Sequence, residues 1–219
     1  GANRLTPLQV HSDKNWANAF TARSTTFAVT TSGQLWTWGI NSGGLLGQNI
    51  RSSELAAGSS PVQVGTLTDW VRVVSGESHG VGIKTNGHMY TWGGNNQGQL
   101  GTNTGATYRS SPIQVGYKVW SQASAGSEHT VAIENGRLWA WGDDGDGRLG
   151  LNTNNIAQSS PVQVGALTSW TKVSCGAKVC YALKEDGTLW AWGDNQNGQV
   201  GNGLGGDGGH GPVSSPVQI

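Results

Sequence analysis

The stretch GQLWTWGINSGGLLG, Gly33 to Gly47, sets Trp36 and Trp38 at alternate positions and follows them with a glycine-rich run. One copy of such a stretch reads equally as an aromatic platform for a ligand or as a packing device. The chain repeats it. Leu35-Trp36-Thr37-Trp38-Gly39 returns as Met89-Tyr90-Thr91-Trp92-Gly93, Leu138-Trp139-Ala140-Trp141-Gly142 and Leu189-Trp190-Ala191-Trp192-Gly193. A second set, Trp16, Trp70, Trp120 and Trp170, is spaced 54, 50 and 50, and the two sets account for all 11 tryptophans. A third marker is SSPVQVG at Ser59, SSPIQVG at Ser110, SSPVQVG at Ser159 and SSPVQI at Ser214, with a weaker copy at Thr6-Pro7-Leu8-Gln9-Val10. A period near 50 marks a propeller, a solenoid or an array.

Inside one unit the pattern is all-β. Trp120 opens a short alternating segment that ends at Gly126, and Thr130-Val131-Ala132-Ile133 reads as a second strand. The Asn135-Gly136 turn leads into the third, Leu138 to Trp141, and a glycine-rich loop leads to a fourth of the Pro112-Ile113-Gln114-Val115 type. Four short strands between turn signals make a meander, the unit of a propeller blade. Calling the strands A to D, the expected divisions are 1–15 for a leading D-like strand and 16–65, 66–116, 117–165 and 166–219 for four blades. The extra strand, Pro7 to Val10, points to an incomplete ring or a piece of a longer array, with a closed four-bladed ring as the alternative. The Trp pair then stands at i and i+2 of strand C, with both rings on one side, where they fill the space between blades.

The 219 residues carry no net charge and only 12% are charged, which argues against nucleic acid and anionic membranes as partners. No apolar run approaches the length of a membrane-spanning helix. The 36 glycines suggest low complexity, but 11 tryptophans, each able to bury about 150–250 Å², belong to a packed chain.

The run W-x-x-V-x-x-G-x-x-H-T-x-A-I, carried from Trp120 to Ile133 with Ala123 at the Val position, resembles the regulator of chromosome condensation repeat family. So does G-x-L-W-x-W-G-x-N-x-x-G-Q-L-G at Gly87–Gly101 and Gly187–Gly201. The resemblance implies a β-propeller, usually of seven blades, and brings guanine-nucleotide exchange on a small GTPase as the family's named activity. Members with that role use an inserted wedge and basic tails, and neither is visible in this sequence. The UV-B photoreceptor role of similar propellers needs G-W-R-H-T runs, where this chain has Gly126-Ser127-Glu128-His129-Thr130.

No catalytic or cofactor-binding constellation emerges. His79 and His129 share one slot, filled by Thr25 and Val179 in the other units, and read as stabilising a turn. Asp143-Asp144-Gly145-Asp146-Gly147 has the look of a calcium loop but lacks its ligand spacing and distant Glu, so it reads as a tight turn. Cys175 and Cys180 replace Ala125 and Thr130 of the third unit across the A–B turn. They read as a cross-strand disulfide or as two free thiols, the first implying an oxidising setting.

Variation concentrates in the C–D loops, Gln48 to Gly58, Thr102 to Arg109, Leu151 to Gln158 and Asn202 to Val213. Loops on a rigid scaffold commonly carry binding. The candidate contact residues are Gln48, Arg51, Glu54, Thr102, Tyr108, Arg109, Asn152, Asn154, Gln158, Asp207 and His210. The expected function is a non-enzymatic binding or structural module without cofactor or metal, for a protein, a glycan or other copies of the chain. An extracellular, secreted or virion setting is expected from the uncharged Ser/Thr/Asn/Gly surface, with a cytoplasmic or nuclear regulator as the alternative.

Overall fold

A computed structural model describes residues 6, 9–153, 155–204 and 211–219. The chain folds into four antiparallel sheets, each of four consecutive strands hydrogen-bonded in chain order. Blade 1 holds β1 (Trp16–Ala22), β2 (Thr25–Thr30), β3 (Leu35–Ile40) and β4 (Ala57–Gln63). Blade 2 holds β5 (Trp70–Ser75), β6 (His79–Lys84), β7 (Met89–Gly93) and β8 (Arg109–Gln114). Blade 3 holds β9 (Gln122–Ala125), β10 (His129–Glu134), β11 (Arg137–Gly142) and β12 (Gln158–Gln163). Blade 4 holds β13 (Trp170–Cys175), β14 (Val179–Lys184), β15 (Leu189–Gly193) and β16 (Val213–Gln218). Among the described residues, helical structure is limited to single 3-10 turns at Ser42–Gly44 and Gly145–Gly147.

Some boundaries differ from the sequence expectation. β9 starts at Gln122 rather than Trp120, and the D strands begin early enough to include Arg109 and Gln158, which the sequence placed in loops. Their pairing with Gly93 and Gly142 of strand C draws them into the sheet. Of the leading segment, Pro7 and Leu8 lie outside the described residues, and Gln9 and Val10 are in no strand.

The glycine that closes each L-W-x-W-G run sits where the C–D pairing slips register. Its φ lies between 96° and 109° in the four copies. A Cβ on Gly142 would collide with the Glu128 carbonyl oxygen, so both backbone angle and space exclude a side chain.

Aromatic rings join the blades. Within blade 3, Trp120 packs against Trp139 and Trp141 at 6.3 and 5.7 Å; Trp16 packs likewise on Trp36 and Trp38 in blade 1, Trp70 on Tyr90 and Trp92 in blade 2, and Trp170 on Trp190 in blade 4. The second ring of each C-strand pair then reaches the preceding blade. Trp92 donates its indole N–H to the Leu45 carbonyl, Trp141 to Gln99 and Trp192 to Arg148, at 2.9–3.0 Å. All three rings are fully buried, whereas Trp38 in blade 1 is only half-buried. At the other end, Leu35, Met89 and Leu138 are fully buried, while their counterpart Leu189 is 37% exposed. Blade 1 packs on 2, 2 on 3 and 3 on 4; among the described residues, blades 1 and 4 make no comparable contact. The four blades thus form an open arc with one uncovered face at each end.

Candidate interaction face

Strand pairing fixes which loops share an edge. Gly142 pairs with His129 on one side and Gln158 on the other, so the A–B turn and the C–D loop leave a blade together. The A–B turns also meet across blades: Glu77 N–H donates to the Ser127 carbonyl and Ser127 N–H to Ala177. They surround an open cleft of 360 Å³ at the centre of the arc, which Cys175 borders. A second cleft, of 460 Å³, lies between blades 1 and 2 beside Arg23, Ile40, Ser42, Glu77 and Glu128.

The C–D loops are anchored rather than free. Asn49, Asn103 and Asn152 adopt φ of 58°, 53° and 55° and donate their N–H to Ser110, Ser159 and Ser214 of the next blade at 2.6, 2.8 and 2.7 Å. The Ser159 and Ser214 hydroxyls return hydrogen bonds to the Asn103 and Asn152 side chains. This explains the Ser-Ser-Pro marker and makes Asn152 an inter-blade latch. Gln48 is also tied inward, its amide donating to the Thr37 carbonyl and hydroxyl.

A buried polar slot, overlooked in the sequence reading, holds each loop from inside. Asn41, Asn95, Asp144 and Asn195 accept the backbone N–H five residues on, and their outer atoms bind the loop. The signal was the polar residue two places after every Trp-Gly. Asp144 bonds the Thr153 hydroxyl and Leu149 N–H, while Asp143 and Asp146 pair with Arg148 at 2.8 and 3.0 Å. Lys178 reaches Asp146 at 3.1 Å. Burial pushes the Asp146 carboxyl up, but Lys178 and Arg148 outweigh it and hold it below the usual value. The acidic run is a cross-braced turn.

Of the remaining expected contacts, Tyr108 is 42% exposed, Thr102 and Thr104 bond each other, and Arg51 N–H meets the Glu54 carboxylate. The Gln158 amide donates to the Ile156 carbonyl. Asn154, Asp207 and His210 lie outside the described residues. Each blade exposes one large apolar side chain on this edge: Ile40, Tyr108, Ile156 and Leu204. Leu67, Tyr117, Val119 and Leu167 are exposed in the D–A connections toward the opposite edge.

The histidine rings lie against Gly76 and Gly126 of their own turns, and their Nε2 atoms reach the next blade. His79 Nε2 lies 2.8 Å from the Thr130 hydroxyl, which itself donates to the Gln99 carbonyl at 3.0 Å. With that proton committed, Nε2 is the donor to Thr130. His129 repeats the geometry toward Cys180 Sγ at 3.1 Å. Burial drives both imidazoles down to about 3, so both are neutral. Cys175 and Cys180 are register partners of β13 and β14 and are joined by a disulfide.

Among the described residues, no helix is long and apolar enough to cross a membrane. The chain is 30% identical over 180 residues to the human E3 ubiquitin-protein ligase HERC2, covering 80% of this chain and 4% of that one. It is 33% identical over 197 residues to the ultraviolet-B receptor UVR8 of Arabidopsis thaliana, covering 88% and 43%. The fold superposes on Prp20p from Saccharomyces cerevisiae with a TM-score of 0.84 at 19% identity, over 98% of this chain and 53% of that one. Human WBSCR16 gives 0.83 at 20% identity, over 100% and 56%. The chain therefore spans less than half of these two curated relatives and about half of the solved propellers. The regulator of chromosome condensation (RCC1) repeat matches at residues 32–83, 86–133 and 135–183, with a further repeat form at 70–99 and 170–199. On that coverage, and on four blades built alike, the chain belongs to the RCC1 repeat family.

Proposed function

We propose that this chain is a protein-recognition module that seats a protein partner on the face formed by its A–B turns and C–D loops. The observation that carries this reading is the regular display of Ile40, Tyr108, Ile156 and Leu204, one per blade, with the loops of blades 1 to 3 latched to the next blade. Charges of both signs share a cleft with Ile40, with Arg23 and Glu77 paired at 2.5 Å and Glu128 beside them. Exposed aromatic and aliphatic anchors among charges suit a protein surface, and pre-ordered loops lower the entropy cost of binding it. The relatives named above lend no support to the expected virion or secreted setting, or to a glycan. The relatives are regulators: ubiquitin ligases, a light receptor, and a yeast propeller described with its binding to Gsp1p and histones.

The test is a photo-crosslinking amino acid placed at Ile40 or Ile156, and separately at Tyr117 or Leu167, in cells of the source organism. The same partner should be captured from the first pair of positions and missed from the second. Capture only from Tyr117 or Leu167 overturns the choice of face. A second reading, regulation of a small GTPase, follows the family resemblance and the likeness to Prp20p. Acceleration of labelled-nucleotide release from small GTPases by the purified chain supports it, and rates equal to buffer reject it.

A further inference from the structure

Blade 4 differs from blade 3 at a single cross-strand pair in a way that changes its chemistry. Blade 3 has Ala125 opposite Thr130, with His79 from blade 2 on the Thr130 hydroxyl. Blade 4 has Cys175 opposite Cys180, with His129 from blade 3 on the Cys180 sulfur. Both members of the pair have become soft ligands, beside a histidine that the preceding copy also supplies. The Cα atoms stand 4.1 Å apart. His129 Nε2 and the two Sγ atoms all lie within 4.8 Å of one another.

The geometry points to a redox-gated site for a thiophilic cation, Zn²⁺, held by His129 Nε2 and the thiolates of Cys175 and Cys180. In the disulfide form the sulfurs are committed to each other and the site is closed. A dithiol reductant opens it: two electrons and two protons pass to the disulfide, and the reductant becomes a disulfide itself. The two thiols then release two protons to solvent as two S–Zn bonds form, while His129 moves its ring proton from Nε2 to Nδ1 and contributes the Nε2 lone pair. Tetrahedral coordination at about 2.3 Å places the sulfurs roughly 3.8 Å apart, a separation a χ1 rotation of Cys175 supplies. Cys180 is fully buried, and Cys175 borders the central cleft, which provides the entry path and a fourth position for water. A neutral imidazole is the form that ligates zinc. The site owes nothing to the partner-binding face beyond this shared cleft and stands apart from that proposal.

The experiment titrates Zn²⁺ against a chromophoric chelator with the 219-residue chain, once oxidised and once reduced under argon. The control is Cys175→Ala/Cys180→Thr, which installs the blade 3 residues at both positions and so suits the fold. The reduced chain is expected to bind one equivalent more than this control, and the oxidised chain no more than it. Co²⁺ in place of zinc should give a thiolate charge-transfer band in the reduced chain and none in the control. His129→Val, the residue at the matching slot of blade 4, should weaken zinc binding about tenfold or more. A reduced chain that binds no more zinc than the control overturns the site. Undiminished affinity in His129→Val removes histidine from it and overturns the proposal in this form.

Discussion

Leu138 and Leu189 are the same residue in the same slot of successive blades, yet one is fully buried and the other 37% exposed. Leu138 packs in one cluster with Leu149, Val164, Trp170 and Trp192, the seam between blades 3 and 4. Leu138→Ala therefore opens a cavity in that seam and should cost about 3 kcal/mol, within the range for fully buried leucines. Leu189→Ala removes a side chain that already faces water on one side. It leaves no enclosed void and should cost about 1 kcal/mol from lost area alone. Urea unfolding followed by tryptophan fluorescence reads the contrast. With a slope of about 3 kcal/mol/M for a chain of this size, the midpoint should fall by about 1 M for Leu138→Ala and about 0.3 M for Leu189→Ala. Equal large shifts would show that the outer face of blade 4 is covered in solution. Equal small shifts would show that blades 3 and 4 do not depend on this seam. Either result refutes the reasoning.

Three further outcomes follow from the same geometry. Trp92→Phe leaves the Leu45 carbonyl without its indole donor and should lower stability by about 1–3 kcal/mol, whereas Trp38→Phe should cost under about 1 kcal/mol, both read by urea melts. Gly142→Ala forces a Cβ onto the Glu128 carbonyl at φ 102° and should cost about 3 kcal/mol or more, while Gly116→Ala, with open space at φ 54°, should cost about 1. His79 is held at about 3 against an ordinary 6.5, so the unfolded chain takes up the proton first as pH falls. Its contribution is intact above pH 6.5 and is lost toward pH 3, by up to about 1.4 kcal/mol per pH unit. His129 behaves alike, so His79→Val should remove roughly half of this slope in stability measured from pH 7 to 4.

The blade was legible because each local signal agreed with the next. The Trp pair in strand C, the turn at Asn135-Gly136 and the Ser-Pro strand recur together, and a repeat is its own alignment. The partners of these residues were not legible, since they lie one unit away. His79 announces itself in the sequence, but its acceptor Thr130 stands 51 positions on, in another blade. The latch on Ser159 joins it to Asn103 of the preceding blade through a main-chain and a side-chain bond, a pairing that neither residue reveals by itself. Leu138 and Leu189 are indistinguishable in sequence because burial depends on rank in the array, not on the residue. Of the candidate contact residues, Tyr108 is exposed, while Gln48 and Asn152 turn inward to brace the scaffold.

Fixing a loop at a point just beyond strand C has a bearing on how such proteins diversify. Residues after Asn49 or Asn103 form a short tether between two fixed points, the latch and the start of strand D. Lengthening a tether between fixed ends raises its closure cost only logarithmically, and the added chain projects away from the seam. New sequence can be spliced there without retuning how one blade seats on the next. The blade-to-blade seam and the loops beside it are thus free to change at different rates, although only a serine–asparagine latch separates them.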